Sequence, residues 1–509
     1  MTKAFINSLY QKTPHREGST AGERDRFGVE LLHWNYEPET QQTTADNPTR
    51  PRVAANRRAG AETDIPTTEL VAFAELDVYT LGTPFHHLPG PARGGIAVAG
   101  RPRQVVGVSR IARGSPMERV SDYLIVGGGM TADAAVRGIR ESDPTGSITV
   151  LSAERYPPYD RPPLSKKLWA GKPLETIWRK TETAGVDLRL ETRALDGDAS
   201  AHTVRDSRGD VHVYRKLLLA TGGTPRHLPF PDDDVIYFRT LEDYQRARAL
   251  CDRQAEFIVI GGGFIGSELA AALSGNGCAV SMVFPESGIG ARIYPPALSA
   301  FLNDYYRDRG VRLFPSESVT DLQHSGASII VTTGDGAAVR ADAAIAGIGI
   351  VPETGLAEAL GLEVDNGIRV DAFLRTSHPD IYAAGDVANV YSPTLDMRRR
   401  VEHEDNANAM GTVAGRNMAG RSDRYEHLPY FYSDLFDLGY EAVGEFGGAM
   451  EIVEDWHEPF RKGVVYYLRD GRVRGVLLWN VWDRVPAARA LIAARETLDP
   501  HALRGRITA

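Results

Sequence analysis

Two six-residue runs in this 509-residue chain carry the residue types that wrap a pyrophosphate. The first is Gly127-Gly128-Gly129-Met130-Thr131-Ala132, a G-x-G-x-x-A pattern. Gly127 permits a tight turn, and Gly129 lets backbone approach a phosphate. Ala132 keeps helix and strand close, and the helix N-terminus behind them favours negative charge. The second run is Gly261-Gly262-Gly263-Phe264-Ile265-Gly266, with Gly261, Gly263 and Gly266 in the same three places. An acid follows each run where the next strand of such a unit ends: Glu154 lies 22 residues beyond Ala132, and Glu286 lies 20 beyond Gly266. A carboxylate there accepts hydrogen bonds from ribose hydroxyls. Glu286 would also repel a 2′-phosphate, and no arginine is adjacent in sequence, Arg292 being six residues on. NADH is therefore expected at the second run in preference to NADPH.

The flanking pattern supplies the elements these runs need. Residues 123–126 are apolar, 130–141 are an Ala-rich helical stretch, Asp143-Pro144-Thr145-Gly146 stops it, and 148–151 is a second apolar run. Strand, glycine turn, helix and strand make a βαβ unit. The pattern returns at 257–260, a helix to Ser274, Gly277 and 279–284, about 134 residues later. Beyond about 430, residues 464–468 and 473–478 flank Arg469-Asp470-Gly471, a hairpin signal. The expected fold is α/β with two Rossmann-like dinucleotide-binding domains and a C-terminal α+β domain. The expected boundaries are a poorly ordered extension at 1–119, one dinucleotide domain at 120–252 and 367–428, the second at 253–366, and the α+β domain at 429–509. The extension is polar and Pro-containing without a clear period, and native translation from Met117 is an expectation that goes with it.

Composition sets limits. A net charge of −9 disfavours nucleic acid as a partner, and Arg398-Arg399-Arg400 reads as a solvated basic turn. The two cysteines, Cys251 and Cys278, have no metal-ligand or redox-pair spacing, so no metal is expected. They read as buried reduced thiols, which implies a cytoplasmic protein. No apolar run is long enough to span a membrane.

Three further segments identify the first occupant by resemblance. Ile381-Tyr382-Ala383-Ala384-Gly385-Asp386-Val387 resembles the segment that closes over FAD in two-dinucleotide flavoenzymes. Thr221-Gly222 resembles the point where the chain leaves the FAD domain, and the Gly349 loop the point where it returns. The runs RPPLSKKLW, ATGGTPR, IGGGFIGSELA, RRRVEH and FYSDL, with the apolar stretch 462–491, resemble apoptosis-inducing factor and its bacterial relatives over about residues 120–495. That resemblance implies a glutathione-reductase-like FAD/NAD fold and an FAD-dependent NADH oxidoreductase. Residues 161–169 lack the cysteine pair of the disulfide reductases. Electrons are thus expected to leave the flavin directly, for a small redox protein, a quinone or oxygen.

The resemblance also assigns roles. It implies that Lys166 sits near the flavin and pairs with Glu268, which holds the nicotinamide carboxamide. On the residues alone Glu268 is a helix acid favoured by the dipole, and Phe264 is core packing. The family reading makes Phe264 a stacking partner of the flavin or nicotinamide. It gives Arg161, Arg239, Gly385 and Asp386 to FAD polar groups and puts His403 near the isoalloxazine. Glu404 stands where the family commonly carries a second histidine, and Tyr432 where animal members carry tryptophan. Two other readings keep the same cofactors: a ferredoxin or rubredoxin reductase, and an NADH-sensing interaction protein with slow turnover. A monomer or an NADH-linked homodimer is expected.

Overall fold

A computed structural model describes residues 117–508 apart from 232, 327, 448 and 449. The expected extension, 1–119, lies outside the described residues except for its last three, and Glu118 and Arg119 already belong to a strand.

That strand, Glu118–Val126, lies in the middle of the first sheet, parallel to Ile148–Leu151 on one side and Val211–Leu219 on the other. Leu124 and Ile125 are fully buried, as an apolar run covered on both faces should be. On its other edge the strand Val211–Leu219 serves two further partners. Its first residues pair antiparallel with Thr203–Asp206, and Leu217, Leu218 and Leu219 pair parallel with Ile381–Ala383. The helix Met130–Ser142 packs on Glu404–Met418 through small residues. A Cβ at Gly415 would lie 2.1 Å from the Ala135 carbonyl oxygen, so glycine sets that approach.

The second sheet is parallel throughout, in the order Arg312–Pro315, Val280–Phe284, Phe257–Ile260, Ala343–Ala346, Ile236–Tyr237. Its outermost strand lies ahead of residue 253, where the sequence pattern starts this domain. At the other end Leu356, Ala357, Leu360 and Leu362 join the core of the first sheet, short of residue 366. Two residues of strand and one short helix carry too little periodicity to show this in sequence. The connections Gly223–Pro225 and Ile350–Pro352 pair antiparallel, so the chain leaves and returns through one ribbon.

The C-terminal sheet is antiparallel, in the order Tyr430–Leu435, Leu438–Gly444, Arg472–Trp479, Lys462–Arg469, Glu451–Glu458. Asp470 (φ 53°) and Gly471 (φ 69°) both take left-handed φ, as a two-residue hairpin turn requires. Val464, Tyr466 and Leu468 pack with the helix Val485–Ala494, while Val465 and Tyr467 face the core shared with the second sheet. Burial on both faces explains why the strand is apolar without alternation.

The expectation of two free thiols is overturned: Cys251 and Cys278 form a disulfide, with Cα atoms 6.1 Å apart. Both are buried. A helix end and the turn before Val280–Phe284 meet in the fold, a proximity that sequence spacing does not encode. No helix among the described residues is long and apolar enough to cross a membrane.

Candidate functional site

Each glycine run forms a turn into a helix. Gly127 holds φ 116°, and a Cβ there would lie 2.0 Å from the Ala220 carbonyl oxygen. Gly261 holds φ 109° against the Gly347 carbonyl, and a Cβ at Gly266 would lie 2.0 Å from the Gly261 oxygen. Gly129 and Gly263, the N-caps of Met130–Ser142 and Phe264–Gly275, differ: no atom lies within 4 Å of a Cβ added to either. Backbone contact fixes the first glycine of each run, and free space surrounds the third. That is the shape an approaching pyrophosphate needs. Ala132 is fully buried, where it holds helix against strand.

The polar groups expected around the first cradle converge there. Gly385 holds φ 78°, and a Cβ on it would strike the Thr131 hydroxyl at 2.2 Å, so the 385–386 turn rests on the cradle helix. Asp386 accepts from Arg239 at 3.1 Å, and Arg239 also stands 3.3 Å from where a Gly222 Cβ would lie. Glu154 is held by the Arg161 guanidinium and by the Tyr159 hydroxyl, the latter at 2.7 Å. Arg161 also donates to the Arg239 carbonyl at 3.0 Å. Thr221 and Gly349 serve the crossing ribbon instead: Thr221 Oγ1 donates to the Glu353 carbonyl at 2.6 Å, and the Gly349 carbonyl accepts from Arg226 N–H at 2.9 Å.

Between the two cradles lies a compact cluster. Lys166 Nζ meets Glu268 Oε2 at 2.7 Å, with both side chains buried. Ser165 Oγ donates to the same oxygen at 2.6 Å, and Ser433 Oγ donates to Oε1 at 2.6 Å. Three donors on one buried carboxylate offset its desolvation. The Lys166 ammonium also stands 5.3 Å from the centre of the Tyr432 ring. Tyr432 packs edge-on against His403 at 5.3 Å, and Phe264 against Phe431 at 5.1 Å. Phe264 remains 40% exposed at the mouth of the second cradle, available to stack on a ring.

His403 is the N-cap of Glu404–Met418, with Nδ1 accepting from the Asp405 N–H at 3.3 Å. Burial, then the Lys166 charge, lowers its pKa to about 4. It is therefore neutral at pH 7, with its proton on Nε2. Burial raises the Glu404 carboxyl above its ordinary range, against a hydrogen bond from the Tyr432 hydroxyl at 3.1 Å.

At the second cradle the fold corrects the sequence on one point. Arg292 does stand beside Glu286, its Nη2 lying 2.5 Å from Oε1. The loop between them turns back, so a separation of six residues becomes contact. Ser165, Ser433 and Phe431 border this cluster and are not singled out by residue type alone, although Ser165 lies inside the RPPLSKKLW run and Phe431 and Ser433 inside FYSDL. Away from these cradles, His202, His378 and Asp380 bring metal-ligand atoms within 4.8 Å of one another, but Lys216 pairs with Asp380 at 2.5 Å and supplies its counter-charge.

The profile of the pyridine nucleotide-disulphide oxidoreductase family matches residues 121–411, and that of the C-terminal region of mitochondrion-associated apoptosis-inducing factor matches 449–494. A mitochondrial apoptosis-inducing factor 1 of Dictyostelium discoideum is 32% identical over 421 residues, covering 74% of this chain and 79% of that protein. The ferredoxin–NAD(+) reductase component of the Burkholderia cepacia anthranilate 1,2-dioxygenase system is 34% identical over 390 residues, covering 75% of this chain and 96% of its own. The covalent putidaredoxin reductase–putidaredoxin complex contains a chain with TM-score 0.71 and 30% identity, covering 75% of this chain and 95% of that one.

Proposed function

The chain belongs to the pyridine nucleotide-disulphide oxidoreductase family, and from that premise we propose that it oxidises NADH and passes the electrons to a small redox protein. It is an NAD(P)H-dependent flavin oxidoreductase. The observation that carries the finer reading is the buried Lys166–Glu268 pair, which ties the two nucleotide halves together at one point.

The room a Cβ would find at Gly129, the acid Glu154 and the Arg239–Asp386 pair fit a bound FAD, with Gly127, Ala132, Arg161, Gly222 and Gly385 completing its cradle. When bound, FAD supplies a centre that accepts a hydride and releases electrons. Gly261, Gly263 and Gly266 would hold the NADH pyrophosphate, and Glu286 its adenosine ribose. Glu268 orients the nicotinamide end, Phe264 covers it, and Lys166 supplies a buried cation for developing negative charge. Neutral His403 offers its Nε2–H as a donor and adds no charge.

Relatives named as ferredoxin reductases support a small iron–sulfur protein as acceptor. The test is anaerobic: the protein reduced with NADH is mixed in parallel with a small ferredoxin, a soluble quinone or oxygenated buffer. Reoxidation fastest with the ferredoxin supports the proposal, and a faster quinone or oxygen reaction contradicts it. The match of 449–494 to the apoptosis-inducing factor C-terminal region favours a second reading, in which the NADH-bound form recruits a partner. Slow reoxidation with every acceptor, together with NADH-dependent dimerisation, is its signature.

A further inference from the structure

Two imidazoles and a carboxylate meet at the start of the strand Ile381–Ala383, at the end away from the Gly385-Asp386 turn. Backbone contacts fix them there. The Asp380 carbonyl accepts from Leu217 N–H at 3.0 Å, which ties Asp380 to the neighbouring strand. Thr376 turns the chain into Ile381–Ala383: its hydroxyl donates to the Ile381 carbonyl at 2.9 Å and accepts from His378 N–H at 3.1 Å. His202 comes from the turn between Ala194–Asp198 and Thr203–Asp206, with a left-handed φ of 54°. Its ring lies parallel to Tyr214, with centres 5.3 Å apart, and edge-on to His378 at 5.7 Å.

The distances suit a shell of metal ligands. His202 Nε2 lies 3.4 Å from Asp380 Oδ2, longer than an ordinary N–H···O bond. Two ligands on one tetrahedral Zn2+, each about 2.0–2.1 Å from the ion, stand about 3.4 Å apart. The ligand atoms of His202, His378 and Asp380 all lie within 4.8 Å of one another, so a small ring rotation of His378 closes the shell. His378 Nδ1 accepts from Asp380 N–H at 3.2 Å, a long contact that an ion on Nδ1 replaces. Lys216 leaves a ligand free: its Nζ takes Asp380 Oδ1 at 2.5 Å, and Oδ2 is the oxygen beside His202. All three side chains are partly exposed, which gives an ion access from solvent.

We propose that His202, His378 and Asp380 form a binding site for a divalent transition metal of the Zn2+ class, with two imidazole nitrogens, one carboxylate oxygen and water as ligands. Imidazole selects such ions over Mg2+ and Ca2+, which prefer shells of oxygen. The ion joins the turn that holds His202 to the strand that runs into Gly385-Asp386, and so stabilises the first sheet away from the nucleotide cradles. Lys216 lowers the affinity, by repelling the ion and by occupying one carboxylate oxygen.

The experiment titrates chelator-treated, full-length holoprotein with Zn2+ by calorimetry. Zn2+ has no redox chemistry of its own to disturb the flavin. Histidines elsewhere, His86 and His87 among them, can also take Zn2+, so the readout is the difference between parent and variant. The parent should show a Zn2+ site that weakens at least about tenfold in His202→Ala and in Asp380→Asn. Lys216→Met should tighten the same site by at least about threefold. Zn2+ should raise the melting temperature of the parent more than that of His202→Ala, and retained flavin reports that each variant is folded. If the parent, His202→Ala and Asp380→Asn bind Zn2+ with the same stoichiometry and affinity, the inference is wrong. A Lys216→Met protein that keeps its flavin yet binds Zn2+ more weakly than the parent would also overturn it, because the four residues would then be an ion-pair cluster and not a ligand set.

Discussion

Lys166 and Glu268 are 102 residues apart in the chain, and their charged groups meet at 2.7 Å in a buried setting. Lys166 follows a short 3-10 turn of the first nucleotide half, and Glu268 lies on the cradle helix of the second. Ser165 and Ser433 complete the coordination of Glu268, so the first half, the second half and the C-terminal sheet each contribute a donor or an acceptor. The pair is thus both a structural joint and the centre of the proposed chemistry, and the two roles separate by mutation.

Replacing Glu268 by Ala strands a buried ammonium and removes the acceptor of two serine hydroxyls. A stability loss of about 3–5 kcal/mol is expected, since breaking a buried pair from one side leaves a charge uncompensated. Glu268→Gln keeps the shape and an acceptor oxygen, and should lose less stability. Both variants should be reduced by NADH at least about tenfold more slowly than the parent protein. Denaturant midpoints and anaerobic rapid mixing measure the two effects separately. A Gln variant with parental reduction kinetics would remove the Glu268 charge from the mechanism.

The two kinds of glycine predict opposite phenotypes within one motif. Gly127→Ala forces a side chain to within 2.0 Å of a carbonyl oxygen at φ 116°, and should cost at least ~2 kcal/mol of stability. At Gly129 an added Cβ has no atom within 4 Å, so Gly129→Val should leave the melting temperature of the flavin-free protein unchanged, yet abolish flavin retention. Gly263→Val should keep its flavin and lose NADH affinity. Flavin-to-protein ratio, melting temperature and NADH titration report the three outcomes.

His403 gives a pH signature whose sign is fixed by burial. Its pKa is lowered to about 4 in the folded protein, from an ordinary value near 6.5. Between those values the unfolded chain binds the proton and the folded protein does not. Stability therefore falls as pH drops from about 6.5 towards 4, by up to ~1 kcal/mol per pH unit from this group. Above pH 6.5 His403 contributes no slope. The difference in unfolding free energy between the parent and His403→Gln should vary with pH only inside that window. A constant difference from pH 4.5 to 8 would show that burial does not depress this imidazole.

The Cys251–Cys278 bond closes a loop with a sequence separation of 27. Cross-linking a loop of this size is worth about 3.5 kcal/mol through the unfolded state. Protein denatured without reductant should show no titratable thiol, and two after reduction. The Cys251→Ala/Cys278→Ala double variant should be less stable by about that amount, with NADH oxidation unchanged because neither cysteine borders the Lys166–Glu268 cluster. Two free thiols in the denatured, unreduced protein would contradict the bond.

The parts of the site that were legible in sequence are those where local backbone geometry dictates residue type. Gly127 and Gly261 take positive φ beneath a carbonyl oxygen, so only glycine fits and the motif stands out. The hairpin at Asp470-Gly471 was legible for the same reason. The Lys166–Glu268 contact is long-range and came only through family resemblance. Arg292 stands six residues beyond Glu286 in sequence, and the irregular loop between them hides its return, which goes with the Gly290–Gly262 hydrogen bond. The disulfide and the two-residue strand Ile236–Tyr237 are not legible in sequence because each depends on tertiary proximity rather than on pattern.

The most direct test of the account is the visible spectrum of the purified protein during anaerobic mixing with NADH. A bound-flavin spectrum bleached by stoichiometric NADH is expected, with the bleaching slowed at least about tenfold in Glu268→Ala. A protein without flavin, or a flavin whose absorbance NADH leaves unchanged, would contradict it.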